Sequence, residues 1–175
     1  MKNLILTLIL GCLFFSCVED GEDSIRLIPK GYEGPVLIIF NQSEGEPKEY
    51  ENGKRIYRVP ESGVLKTQFE SNYGLQKHQF FYVDSLGNRE EIPFIIVQEQ
   101  DSLSKVNDRT KVYAFGEGAI GNTKKYGSNE ELLYETPPAK IFVINNLVDV
   151  EEALRKKGWF LNKLHSSEVQ KIIRN

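Results

Sequence analysis

Ser24-Ile25-Arg26-Leu27-Ile28-Pro29-Lys30-Gly31-Tyr32-Glu33-Gly34-Pro35-Val36-Leu37-Ile38-Ile39-Phe40 is the stretch that decides the fold. Its opening alternates side chains up to Pro29, the period of a strand with unlike faces. Lys30 to Gly34 is punctuated by Gly31 and Gly34, and Pro35 follows, which is the chemistry of a turn. Val36 to Phe40 then has no polar face, so it belongs in the middle of the protein, covered on both sides.

The same pattern recurs on either side of a polar loop from Asn41 to Asn52. Arg55 to Val59 alternates, Pro60 to Gly63 turns, and Val64 to Gln68 is expected to pair back. Lys77 to Asp84 sets Phe81 and Val83 on one face and His78, Phe80 and Tyr82 on the other. Asp84-Ser85-Leu86-Gly87-Asn88 reads as a short hairpin loop, and Arg89 to Val97 returns from it, with Pro93 consigning part of that strand to an edge or bulge. Lys111 to Phe115 and Lys140 to Ile144 read as further strands. Short strands at such spacing predict a mainly β body, α+β overall: an antiparallel β-sandwich or partial barrel with a C-terminal helical segment.

The period changes after Asn146. Leu147, Val150 and Leu154 form a helical stripe that Asn146 caps, with Asp149 three residues on, and that Gly158 is expected to stop. Ser167 with Gln170 predicts a second cap and a short terminal helix, and Trp159 and Phe160 are expected as packing anchors between the two. The chain therefore divides into a leader over 1–16, an acidic tether over 17–23 and a β-rich domain over 24–98. A polar seam over 99–110 leads to strands and helices over 111–175, packed on the same domain.

The leader places the protein. Lys2 precedes an apolar run from Leu4 to Phe15 that ends at Ser16-Cys17, the form of a secretory signal. A transmembrane helix needs about 20 apolar residues, and this run turns acidic at Glu19. Cys12, after Ile9-Leu10-Gly11, competes as the processing site. Cutting there would leave a minimal apolar core and expose Leu13-Phe14-Phe15, so Cys17 is favoured. The segment resembles a bacterial lipoprotein signal, with Phe14 and Phe15 departing from the usual lipobox. That resemblance implies a diacylglycerol thioether on Cys17 and an acylated amino terminus, with chains such as palmitate anchoring the protein in the membrane. Acidic residues from Glu19 to Asp23 resemble, in some Gram-negative lineages, a signal for display on the outer face of the outer membrane.

Composition narrows the chemistry. A net charge of −3 lacks the basic footprint of a nucleic-acid binder. Cys12 and Cys17 are the only cysteines, so the processed chain has no free thiol for a disulfide, a thiolate metal site or a nucleophile. Gly116-Glu117-Gly118-Ala119-Ile120-Gly121 matches G-x-G-x-x-G, but Asn122 to Ser128 has no helical period, so a flexible loop is expected there instead of a dinucleotide site. His78 and His165 are the only histidines, and neither has a second His at metal-ligand spacing or a nucleophile elbow in the chain, so both are expected to be structural or on the surface. The pairs Glu90-Glu91, Glu130-Glu131 and Glu151-Glu152 read as solvated faces, and the hairpin accounts for Asp84 and Asn88 without calcium. No catalytic, cofactor or metal site is assigned. Asp-Ser-Leu occurs at Asp84 to Leu86 and at Asp101 to Leu103, similar to a bacterial O-glycosylation motif, which makes Ser85 and Ser102 candidates for modification.

From Leu27 to Val97 the chain resembles an uncharacterised family of small bacterial lipoproteins. The residues that carry this are Ile28-Pro29-Lys30-Gly31-Tyr32-Glu33-Gly34-Pro35, Glu49-Tyr50-Glu51-Asn52-Gly53-Lys54-Arg55, Val59-Pro60-Glu61-Ser62-Gly63-Val64-Leu65 and Tyr82-Val83-Asp84-Ser85-Leu86-Gly87-Asn88-Arg89. The resemblance implies export and a β-rich body and supplies no catalytic residue. The expected protein is a lipid-anchored envelope module for binding or assembly, with an envelope protein or a glycan as partner. A hydrolase of envelope or glycan substrates and a structural spacer are the alternatives.

Overall fold

The structure, a computed structural model, describes residues 21–97, 103–130 and 132–164. In chain order the strands are β1 (Ser24–Pro29), β2 (Gly34–Ile39), β3 (Glu49–Glu51), β4 (Lys54–Arg58), β5 (Val64–Lys66), β6 (His78–Val83), β7 (Arg89–Ile92), β8 (Phe94–Ile95), β9 (Val112–Ile120), β10 (Thr123–Tyr126), β11 (Leu132–Thr136) and β12 (Ala139–Asn146); the helix α1 (Val150–Leu164) follows. One five-stranded sheet runs β3-β4-β1-β6-β7 and the other runs β5-β2-β12-β9-β8, while β10 and β11 form a separate ribbon. The expected mainly β, α+β body with a helix at its C-terminal end is what the chain forms.

The strand pairing is mixed. β1 is parallel to both β4 and β6, β2 to β5, and β8 to β9. The cause lies in the opening stretch. The Lys30–Glu33 turn carries the chain from β1 in one sheet to β2 in the other, held by Tyr32, whose Oη donates to the Pro35 carbonyl at 2.5 Å. The segments at Arg55–Val59 and Val64–Gln68, expected to pair with each other, likewise separate into different sheets. A strand that crosses over must find partners distant in sequence, and some of those run parallel. Pro93 divides the expected Arg89–Val97 strand into β7 and β8, one in each sheet, with its carbonyl accepting from Ala114 N at 2.9 Å. The β6–β7 hairpin is antiparallel, as its loop chemistry requires.

Between the sheets lie Ile28, Val36, Ile38, Phe40, Tyr57, Phe69, Phe80 and Phe142. β2 is buried on both faces, as its lack of a polar face demands: Leu37 and Ile39 turn outward, where Phe160 and Leu161 of α1 cover them. α1 also packs Val150, Ala153 and Leu154 against Tyr113, Phe115 and Val143. Asp149 caps it, its Oδ1 accepting from Glu152 N at 2.9 Å, while Asn146 Oδ1 accepts from Val148 N in the preceding turn. The helix continues through Gly158, contrary to expectation. A glycine costs a helix about 1 kcal/mol relative to alanine, and burying even part of Phe160 and Leu161 beyond it gains more. Trp159 is 60% exposed and is not the packing anchor expected of it. One residue turns a helix by about 100°, so Phe160 faces the sheet and Trp159 does not. The expected terminal helix lies outside the described residues.

The outer face of the first sheet carries a second apolar cluster, Ile25, Leu27 and Ile56 with Phe81 and Val83. No helix covers it. Instead Arg89 on β7 makes two hydrogen bonds, of 2.7 and 2.8 Å, to the Glu51 carboxylate on β3. These strands are the opposite edges of the sheet, so the sheet must curl until its edges meet across that face. The curl encloses the cluster.

Candidate functional site

Charged groups gather at the end of the sandwich where β1 and β6 begin. The inner face of β1 presents Ser24, Arg26 and Ile28, all fully buried. Arg26 lies between two aromatic rings, its guanidinium carbon 4.9 Å from the centre of Phe80 and 4.7 Å from that of Phe142. From the opposite sheet, Glu117 Oε1 accepts from Arg26 Nη2 at 2.7 Å. Arg26 Nε and Nη1 have no hydrogen-bond partner among the described residues. They are left facing the rings, where a weakly hydrated guanidinium is tolerated better than an ammonium.

Glu117 reaches this position because β9 is bulged. Tyr113 and Phe115 face α1, and simple alternation would send Glu117 the same way. The register against β12 slips between Ile141 and Val143, so that Gly116 and Glu117 together oppose Phe142. Gly116 has φ +63°, the left-handed residue of such a bulge. Beyond it the alternation is inverted: Gly118 and Ile120 now face the helix side and Glu117 turns inward. The carbonyl of Gly116 accepts from Lys157 Nζ of α1 at 2.5 Å. The G-x-G-x-x-G run is therefore strand β9 and its bulge, neither the expected flexible loop nor the start of a helix.

His78 and Lys140 complete the cluster. His78 stands beside Ser24 in the β1–β6 register, with Ser24 Oγ 2.8 Å from its Nδ1 and Glu117 Oε1 3.4 Å from its Nε2. Lys140 Nζ donates to Gln76 Oε1 at 2.6 Å and lies 3.9 Å from Glu117. Burial, seconded by the charge of Arg26, lowers His78 to about 4. Burial and the same charge lower Lys140 to about 8. Burial raises Glu117, but the charge and hydrogen bond of Arg26, with His78 and Lys140, outweigh it and leave the carboxyl below its ordinary value.

Ser24, His78 and Glu117 have the composition of a nucleophile, base and acid. Their placement denies that chemistry. Ser24 is 1% exposed, so no carbonyl can approach its oxygen. Glu117 already neutralises Arg26, and an imidazole held so low is a weak base at neutral pH. What the cluster does is join the sheets: Ser24, Arg26 and His78 come from one, Glu117 and Lys140 from the other.

The other sequence-derived candidates are scattered. Asp84 sits in the hairpin with Oδ1 accepting from Leu86 N and Asn88 N, both at 2.9 Å, and Oδ2 accepting from Asn88 Nδ2. The loop thus uses the oxygens a calcium ion would need. Ser85 beside it is exposed. Glu90 lies 3.8 Å from Lys30, and Glu152 is paired with Arg155 on the first turn of α1. Ser102, His165, Cys12 and Cys17 lie outside the described residues.

A second feature lies at the far end of the sandwich, where β1 and β6 finish. An open cleft of about 450 Å³ has Leu27, Val59 and Val83 in its floor and Lys30, Arg58, Glu61, Asp84 and Ser85 around it. Pro29 and Val83 are register partners there, as Ser24 and His78 are at the charged end. Arg58 is steadied by two hydrogen bonds to Glu49, at 2.6 and 2.8 Å. The cleft thus offers both signs of charge over an apolar floor, a lining suited to a polar polymer or a peptide. No sequence pattern marks it, since its residues come from separate turns.

A model described as a family of unknown function, DUF6843, matches residues 20–136. No curated protein matches the chain. A solved structure from Bacillus anthracis, provisionally described as a lipoprotein, is similar at 19% identity and a TM-score of 0.44, covering 69% of this chain and 68% of its own.

Proposed function

We propose that this chain, which belongs to the family of unknown function DUF6843, is exported, anchored to the cell envelope through lipid on Cys17, and works as a binding or assembly module. The working surface in this reading is the cleft at the end of β1 and β6. One observation carries it: β1 and β6 run in parallel from the end where the chain enters the body to the end where the cleft opens. An anchor at one end and a lined cleft at the other suit a protein that presents a surface away from its membrane.

The leader supports the anchor, as its apolar run is too short to span and stops at Ser16-Cys17. The acidic run after it is only in part a tether. Glu22 accepts from Arg55 Nε at 2.6 Å and Asp23 Oδ1 from Lys77 N at 2.8 Å, so both belong to the body. Glu19 and Asp20 remain for the display signal at the outer face of a Gram-negative outer membrane. The partner in this reading is an envelope protein or a glycan, met by Lys30, Arg58, Glu61 and Asp84. The buried state of Ser24 disfavours the hydrolase alternative.

Two measurements test this. Cys17→Ser should abolish acyl labelling and release the protein from the membrane fraction; retention there without acylation would defeat the anchor. A photocrosslinking residue at Glu61 should trap an envelope component in intact cells, and one at Lys156 on α1 should not. Equal trapping at both, or none at Glu61, would defeat the cleft.

A further inference from the structure

The segment between Phe69 and β6 exposes two large apolar side chains, Tyr73 at 71% and Leu75 at 74%. Ser71 to Gln76 carries no charge. The segment is nevertheless fastened. Gly21 N donates to the Leu75 carbonyl at 3.1 Å, Glu22 N to Asn72 Oδ1 at 3.1 Å, and Asn72 Nδ2 back to the Glu22 carbonyl at 2.6 Å. Gln76 Nε2 closes the turn on the Asn72 carbonyl at 2.7 Å. Gly21 passes so close beneath it that a Cβ there would lie 2.3 Å from the Tyr73 carbonyl oxygen. Two side chains that would be expected to turn away from water are held out in it, against the point where the chain enters the body.

That point lies near Cys17. A chain extends at most about 3.6 Å per residue, so the steps from Cys17 to Gly21 span no more than about 14 Å. We propose that the Tyr73–Leu75 turn is a membrane-contact surface: with Cys17 acylated, Tyr73 and Leu75 sit among the headgroups of the same leaflet. This rests on the lipid anchor proposed above and adds a second, protein-borne contact to it. The occupant is a phospholipid surface because the anchor brings one within reach and the turn is neutral. Of the nearby carboxylates, Glu22 is paired with Arg55, Asp23 with the Lys77 amide, and Glu70 lies 3.9 Å from Lys48, while Glu19 and Asp20 belong to the connecting segment and not to the turn. Tyrosine favours this zone, with its ring against acyl chains and its hydroxyl in water. Two contacts at one end also orient the sandwich, turning the cleft away from the bilayer.

The test uses the mature acylated protein in vesicles of phosphatidylethanolamine and phosphatidylglycerol. Its own cysteine sulfur is taken up in the thioether, so Leu75→Cys or Leu86→Cys supplies one free thiol for an environment-sensitive dye. Leu86 is the control, 85% exposed in the hairpin loop at the cleft end. The dye at position 75 should shift to the blue and be quenched by headgroup-labelled lipid several-fold more than the dye at 86. Equal solvent exposure at both positions, in protein whose acylation is verified by intact mass, would overturn the contact and leave the anchor standing. A mature protein without acyl mass would overturn both. Shielding of position 75 in the unacylated body from Val18 onward, without vesicles, would overturn it in favour of a second copy of the chain.

Discussion

Removing the Glu117 carboxylate should be one of the most damaging single changes in the molecule. Arg26 has no solvent exposure, and among the described residues Glu117 is the one carboxylate bonded to it. Glu117→Ala leaves a guanidinium between Phe80 and Phe142 without a counter-ion, the situation in which breaking a buried pair costs about 3–5 kcal/mol. Against a total stability of about 5–15 kcal/mol for a domain, that is a large share. Arg26→Met should cost less, about 1–2 kcal/mol, because methionine fills the slot between the rings. Glu117 then keeps 19% side-chain exposure and has His78 and Lys140 nearby. The double variant has no buried charge left to strand, so it should match Arg26→Met alone. The coupling between the two sites would then equal the whole cost of Glu117→Ala, about 3–5 kcal/mol, at or above the top of the range for residues in contact. Urea denaturation of the body from Val18 onward, followed by far-ultraviolet circular dichroism, gives all four corners, provided the slopes agree. Simple additivity, or a Glu117→Ala protein as stable as Arg26→Met, would refute the account of the pair.

His78 should make the fold acid-sensitive in a defined window. The folded protein holds its imidazole at about 4 against 6.5 for the free group, so the unfolded chain binds the extra proton and stability falls as pH drops from about 6.5 to 4. The full effect is about 3 kcal/mol at 1.36 kcal/mol per unit. His78→Gln should flatten the melting temperature across that window, and an unchanged slope there would exclude His78 as its source. Gly116→Ala should cost about 1–2 kcal/mol for its left-handed backbone, with Leu154, 2.8 Å from the new methyl, forced to shift; a neutral urea midpoint would contradict the bulge. The exposed Ser85 should carry glycan in the native host, seen as mass beyond the acylated polypeptide that Ser85→Ala reduces; a mass equal to the acylated polypeptide would remove both Ser85 and Ser102 as sites.

The period-two segments and the turn residues between them were legible from the chain alone because they are local. Alternation at Ser24–Ile28, the doubly apolar Val36–Phe40 and the Asp84–Asn88 loop each express a backbone preference that near neighbours settle. Which strand joins which sheet was not legible. β1 and β2 follow one another through a turn and yet part company, and the parallel partners of β1 lie well along the chain.

The charged cluster was hidden for a related reason. Arg26 on an alternating strand looks like a side chain facing water, and Glu117 sits inside a glycine pattern that suggests a loop. Only the second sheet buries Arg26, and only the one-residue slip at Gly116 turns Glu117 toward it. Sequence determined what each segment could be, since propensity and polarity act over a few residues. The tertiary structure alone decided which polar groups meet in the dark between the sheets, because a buried charge is defined by partners that arrive from far along the chain.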